Sequence, residues 1–342
     1  MCLILGKINN LKPQDLAVKI KKIFLTELKE AEVIEVAGPG FLNIRLENGY
    51  IKKIIKKIAN SKNSYGSSSN NENYNIEFVS ANPTGPMHVG HCRGAIYGDV
   101  LANLLKFNGN TVTKEYYIND YGSQIKNFTE SVFLRIRELK YKEKFINKKD
   151  LYPGEYIVTI ANNIIKDNPK LPFDKFDDSF ELLKKSSLYY SMKLIKNDLQ
   201  NLGIKHDKYV QESELVDKDL VAKTIKKLKQ NKFVEEGYLS PPKGEEIKNW
   251  AKTKRLIFKS TKFNDDMDRA LQKNDGTWTY FANDIAYHMD KISRKYDYLI
   301  NVLGADHTGY IKRITAAVSA LSNNKVSLDC RVCRLVKLYK NG

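Results

Sequence analysis

The residues best suited to chemistry sit in one stretch, Ala81-Asn82-Pro83-Thr84-Gly85-Pro86-Met87-His88-Val89-Gly90-His91. His88 and His91 stand three apart, so they can point the same way and donate hydrogen bonds to a phosphoryl group as charge develops. The chain has only five histidines, and two are here. Gly90 has no Cβ, so a ligand can lie on the backbone. A helix opening just beyond it would offer unpaired N–H groups and a partial positive charge that suit a phosphate. Zinc is the competing reading, with Cys92 as a third ligand, but no His/Cys pair at ligand spacing completes that site. No structural metal is therefore expected. Glu77 interrupts an apolar run, where an unpaired carboxylate is costly. Tyr280 and Asp284, four apart at a helix start, share a face. Two carboxylates and a phenol can receive a planar guanidinium, because each carboxylate accepts a forked pair of hydrogen bonds. The plainer alternative pairs Glu77 with a nearby lysine and leaves Asp284 to complement the helix dipole.

Positioning these groups requires a strand before the loop and a helix after it. The run Asn75 to Ser80 reads as a short buried strand, and Ala95, Ile96, Val100, Leu101, Leu104 and Leu105 recur at helical spacing. Thr111 to Ile118 follows the Asn108-Gly109 turn as a second strand, so the unit reads as a parallel crossover. Residues from Phe128 to about Lys259 read as a mostly helical, lysine-rich insertion, with Ser240–Gly244 a tight loop. The parallel pattern is expected to resume at Thr277-Trp278-Thr279-Tyr280, continue through a helix from Ala282, and return at Tyr298 to Leu303. Ligands of open α/β sheets gather at strand carboxyl ends. Those ends carry Ser80–His91, Asn119-Asp120, Tyr280 and Gly304–His307, four polar stretches expected to meet in one cleft. Residues 1–60 read as a small, partial α+β domain, with a helix from Leu11 to Leu28 and two strands around Gly38-Pro39-Gly40; 61–73 reads as a polar linker, and 74–342 as the catalytic α/β domain with its insertion at about 128–260.

Composition excludes several classes. The 342 residues include 42% hydrophobic side chains, enough for sizeable cores, and no apolar run of transmembrane length. The N-terminus lacks the features of a signal peptide, and four cysteines in this length suit a reduced, cytoplasmic setting. Cys330 and Cys333 form a C-x-x-C with no second pair and read as packing. A net charge of +17 suits a polyanion such as RNA, although lysine is spread throughout the chain.

The loop resembles the HIGH signature of class I aminoacyl-tRNA synthetases, with Val89 at its second position. The resemblance sharpens to the arginyl-tRNA synthetase family over Ile76–His91, Tyr116–Asp120, Asp275–Ala282, Asp284–His288 and Gly304–His307. It implies a Rossmann-like parallel sheet and an ATP-dependent ligase that makes arginyl-adenylate and passes arginine to the 3′ end of tRNA(Arg), with ATP and Mg2+ as a substrate complex. It implies arginine-binding roles for Glu77, Ser80, Asn82, His88, Tyr280, Asp284 and His307. For ATP it implies Pro86, Met87, His88, Val89, Gly90, His91, Gly304, Asp306 and His307, with His88 and His91 catalytic. The family's lysine-bearing KMSKS-type loop and helical anticodon-binding domain have no counterpart after the last strand. Lys259-Ser260-Thr261-Lys262 matches a family segment without a catalytic role. The expectation is thus an incomplete monomer, inactive or weakly active; the alternative is a non-catalytic arginine- or RNA-binding remnant.

Overall fold

The computed structural model describes residues 2–217, 219–238, 254–337 and 339. The expected Ser240–Gly244 loop lies outside the described residues. The chain divides into two units, residues 1–67 and 68–342, with the boundary inside the polar 61–73 stretch. The first unit opens with α1 (Cys2–Ile8), an element the sequence reading did not place, then α2 (Pro13–Glu27) with proline at its first turn. Proline fits there because its missing N–H would be unpaired anyway. Strands β1 (Ala31–Ala37) and β2 (Phe41–Leu46) pair antiparallel about the expected glycine turn, and α3 (Asn48–Ser61) follows.

In the second unit β3 (Asn73–Glu77) leads through the signature loop into α4 (Val89–Phe107), and β4 (Thr111–Ile118) returns beside β3. The second half of the expected linker is tied down: Asn70 and Asn71 donate backbone N–H to the carbonyls of Asn108 and Gly109. Next come α5 (Ser123–Tyr141), α6 (Glu155–Asp167) and α7 (Phe176–Asn201), which bury a core of their own around Phe128, Ile160 and Leu183. The expected insertion is interrupted here. Strand β5 (Lys208–Gln211) pairs with β4 in the central sheet, so the expected segment is not one continuous excursion from it. Four residues with a single fully buried side chain are too short for periodicity to reveal.

The chain continues through α8 (Glu212–Asp217), α9 (Leu220–Gln230), β6 (Val234–Gly237), β7 (Arg255–Phe258) and β8 (Arg269–Ala270), the three strands forming a small antiparallel sheet. The strand expected at Thr277–Tyr280 does not form. Thr279 instead caps α10 (Tyr280–Ser293), its hydroxyl accepting from the Ala282 N–H. Then come β9 (Tyr298–Gly304), α11 (Ile311–Ser322) and β10 (Ser327–Cys333).

The central sheet is parallel, in the order β10-β9-β3-β4-β5. One face packs on α4 and α7 through Ile76, Tyr116, Ala95 and Ile195; apolar residues of β9 and β10 pack with α10 and α11. Cys330 and Cys333 are both free and pack against these two separate clusters. Successive strands run outward from β3 to β5 on one side and from β9 to β10 on the other. The order therefore reverses between β3 and β9, and ligands of such sheets sit at that reversal, beyond the carboxyl ends.

Candidate active site

A cavity of about 390 Å3 opens at the reversal. From β3 and the loop after it come Glu77, Val79, Ser80 and Asn82; from β4, Tyr117 and Asn119. Helix α10 contributes Asp284, Tyr287 and His288, while β9 and the turn beyond contribute Asn301, Gly304, His307 and Tyr310. The polar supply from α10 follows from spacing: Asp284, Tyr287, His288, Lys291 and Arg294 fall on one helical face, and that face turns toward the sheet.

The floor is a connected polar network. The Lys291 ammonium, fully buried, donates to Glu77 Oε2 at 2.6 Å and to Asn301 Oδ1 at 3.1 Å. Ser80 Oγ donates to the other Glu77 oxygen at 3.0 Å and accepts the Tyr117 N–H at 3.1 Å. Burial, and then the nearby Lys291 charge, lower the His288 pKa to about 4, so its imidazole is neutral. Its Nδ1 then donates to the Asp284 carbonyl at 2.8 Å and its Nε2 accepts from Asn301 Nδ2 at 3.0 Å. Beneath, Glu115 is fully buried, accepting a fork from Arg294, the Tyr287 hydroxyl at 2.7 Å and Asn75 Nδ2 at 2.9 Å. Burial opposes the Glu115 charge, but the Arg294 fork, Lys291 and the Tyr287 hydroxyl outweigh it and hold its pKa at about 2.

Asp284 differs from Glu77 and Glu115 in that no cation among the described residues is bonded to it. Burial raises its pKa; the Tyr310 hydroxyl bond opposes this, and the Glu77 and Glu212 charges add to it, leaving a value of about 7. A carboxyl this reluctant to ionise is suited to an arriving cation. Nearby, Tyr117 bonds Glu212, whose carboxyl burial also pushes upward.

The signature loop is pinned from β4, α6 and α7. Tyr116 and Tyr156 hydroxyls donate to the carbonyls of Ala81 and Thr84 at 2.8 and 2.9 Å, and the Met87 N–H donates to Asp198 at 3.2 Å. At its end His88 stacks on His91 with centroids 3.7 Å apart, and the His88 N–H donates to His91 Nδ1 at 3.3 Å. Half-burial and then the neighbouring His88 lower the His91 pKa. A Cβ at Gly90 would stand 3.0 Å from the His88 ring, so the glycine makes room for that stack.

Residues 54–330 match the family of tRNA synthetases class I (R), catalytic domain, and residues 1–46 match the arginyl tRNA synthetase N terminal domain. The chain belongs to the arginyl-tRNA synthetase family. Among curated relatives, the arginine–tRNA ligase of Pelagibacter ubique is 53% identical over 345 residues, covering 100% of this chain and 60% of that protein. The arginine–tRNA ligase of Wolbachia sp. subsp. Brugia malayi is 44% identical, again over 100% of this chain and 60% of its own length. A solved structure described as a putative arginyl tRNA synthetase from Campylobacter jejuni superposes with a TM-score of 0.71 at 31% identity, covering 86% of this chain and 64% of that one. The Thermus thermophilus arginyl-tRNA synthetase shares the fold, with a TM-score of 0.63 at 19% identity over 96% of this chain and 59% of its own. The chain thus spans about 60% of the length of the curated relatives it matches.

Against the expectations for an arginyl-tRNA synthetase, the cavity gathers Glu77, Ser80, Asn82, Asp284, Gly304 and His307. It does not include Tyr280, which begins α10, is 76% exposed and lies under the Lys273 ammonium. The phenols on the cavity wall are instead Tyr117, Tyr287 and Tyr310. Glu77 is engaged by Lys291, as the alternative from spacing allowed. Pro86 and His88 are exposed on the loop, and neither they nor His91 line this cavity. Asp306 is exposed beside His307, 3.4 Å away. Lys259 of the superficial KMSKS look-alike pairs with Glu235, and Ser260 is buried against Asp265. Sequence reasoning missed Lys291, Asn301, Tyr310 and Glu115. The i, i+3, i+4, i+7 polar spacing from Asp284 to Lys291 was the available signal, because a helix polar on its core-facing side must be satisfying buried partners.

Proposed function

We propose that this chain carries the arginine- and ATP-binding site of an arginine–tRNA ligase. The observation that carries the reading is Asp284, a carboxyl with no bonded cation among the described residues, in a cavity at the sheet's reversal next to the Glu77–Lys291 pair. A guanidinium entering there meets Asp284 and the Tyr310 and Tyr117 hydroxyls. Asn82 and His307, at the rim, reach the amino-acid head group. Mg2+-bound ATP is the second substrate, its phosphates against the His88–His91 pair at the start of α4, its ribose and base near Gly304 and Asp306.

The arginine carboxylate then attacks the α-phosphate, pyrophosphate departs, and the adenylate passes its arginyl group to the 3′ end of tRNA(Arg). No protein nucleophile is needed, since alignment of the two substrates and donors aimed at the phosphoryl oxygens supply the rate enhancement. Calorimetric titration with arginine, lysine and citrulline tests this reading, with and without Mg2+-ATP and tRNA. Arginine should bind and citrulline, its neutral isostere, should not; equal binding of the two would refute the carboxylate receptor.

A further inference from the structure

Strand β3 does not run straight into the signature loop. The Ser80 N–H donates to the Phe78 carbonyl at 3.1 Å, closing a three-residue turn around Val79, whose φ is +70°, and Ser80 follows at +41°. A γ-turn of positive φ is the rare, strained form, and positive φ on a β-branched residue is an outlier. Such a geometry persists only where its surroundings over-determine it.

Here the surroundings can be named. The Phe78 ring is fully buried over α4, where a Cβ on Gly98 would come within 2.3 Å of it. From the far side the His206 ring faces Phe78 at a centroid distance of 4.2 Å, with its Nε2 3.3 Å from the Phe78 carbonyl oxygen. A carbonyl only accepts, so Nε2 carries the proton. Nδ1, buried, has no hydrogen-bond partner among the described residues. Burial keeps the imidazole neutral, lowering its pKa to about 4. As core filling alone, a histidine with one orphaned nitrogen is inferior to an apolar side chain of similar size. The bond to Phe78 is what the imidazole provides that leucine cannot.

We propose that His206 is a positioning residue for the candidate active site, clamping the Phe78–Ser80 γ-turn so that the Ser80 hydroxyl is aimed at Glu77. Through this turn a residue outside the cavity sets the orientation of two groups that line it. The ligand readout rests on the arginine reading of the pocket; the clamp itself does not.

The test compares the full chain with His206→Leu, His206→Gln, Val79→Gly and the His206→Leu/Val79→Gly double variant. Arginine affinity, thermal midpoint and amide exchange at Ser80 and Tyr117 are measured for each. His206→Leu should weaken arginine roughly ten-fold and speed both amides while the midpoint holds or rises, since an orphaned nitrogen has gone. His206→Gln, whose amide nitrogen can reach the same carbonyl, should bind arginine close to the wild type. In the Val79→Gly background the leucine substitution should cost much less, because glycine takes positive φ without strain. A packing role gives the reverse order, with leucine harmless and glutamine damaging, and that order overturns the clamp. So does an equal penalty for His206→Leu in both backgrounds. If the wild type binds no arginine while exchange follows the order above, the pocket reading fails and the clamp stands.

Discussion

At the scale of single residues, Asp284 and Glu77 are separated by their partners rather than by their chemistry. Asp284 has a pKa raised to about 7, so its protonated form favours the fold; that contribution is full below the ordinary carboxylate range and is lost as pH rises through about 7. A guanidinium prefers the ionised form, so arginine binding should release a proton. Affinity should then rise about ten-fold per pH unit below pH 7 and level off above it. Asp284→Asn should bind arginine weakly and flatten that profile; a profile unchanged in the variant would remove Asp284 from the site. Glu77→Gln should behave differently, because it leaves the fully buried Lys291 without its anion. Breaking a buried pair costs about 3–5 kcal/mol, so the thermal midpoint should fall and both substrates should weaken together. Selective loss of arginine at an unchanged midpoint would instead make Glu77 a direct ligand.

At the scale of elements, α10 joins the cavity to the core. It is apolar where Phe281, Ile285 and Ala286 meet α11 and the surrounding cluster, and polar where Tyr287, Lys291 and Arg294 cross under β3 and β4. The Glu115–Arg294 pair fixes this crossing. Glu115 has its pKa lowered to about 2, so its contribution is present above the ordinary carboxylate range and lost as pH falls toward 2. Glu115→Gln should lower the thermal midpoint at pH 7 and should make stability less steeply dependent on pH between about 4.5 and 2. An unaltered acid-unfolding curve would show that other carboxylates govern it.

For the whole molecule, charge and unit boundaries matter more than any one contact. The net charge of +17 predicts that the chain binds RNA with an affinity falling steeply as salt rises, by about 0.7–0.9 in log–log slope per phosphate neutralised. Filter binding of tRNA from low to physiological salt measures that slope; a slope near zero would remove the polyanion reading. Every candidate site residue lies in the 68–342 unit. No helix among the described residues is long and apolar enough to cross a membrane.

By itself the sequence determined the local elements and the family, because both are written in short-range patterns. The loop from Ala81 to His91, the strands at Thr111–Ile118 and Tyr298–Gly304, and helix periodicity need only neighbours in the chain. Local pattern failed where a segment's role was set by distant partners. Thr277–Tyr280 has strand composition but ends in a helix cap, and Lys208–Gln211 has too little pattern to declare itself an edge strand. Which of several polar residues would share a cavity was decided only by tertiary structure. Spacing from Asp284 singles out Tyr280 in the sequence, yet the turn beyond β9 carries Tyr310 to Asp284 while Tyr280 stays in solvent. Lys291 looks like one of many lysines until α10 is laid across β3, where a buried ammonium and a buried carboxylate must find each other. The strain at Val79 has no signature in composition, since backbone φ there is imposed by His206, Gly98 and Tyr117, residues brought together only by the folded chain.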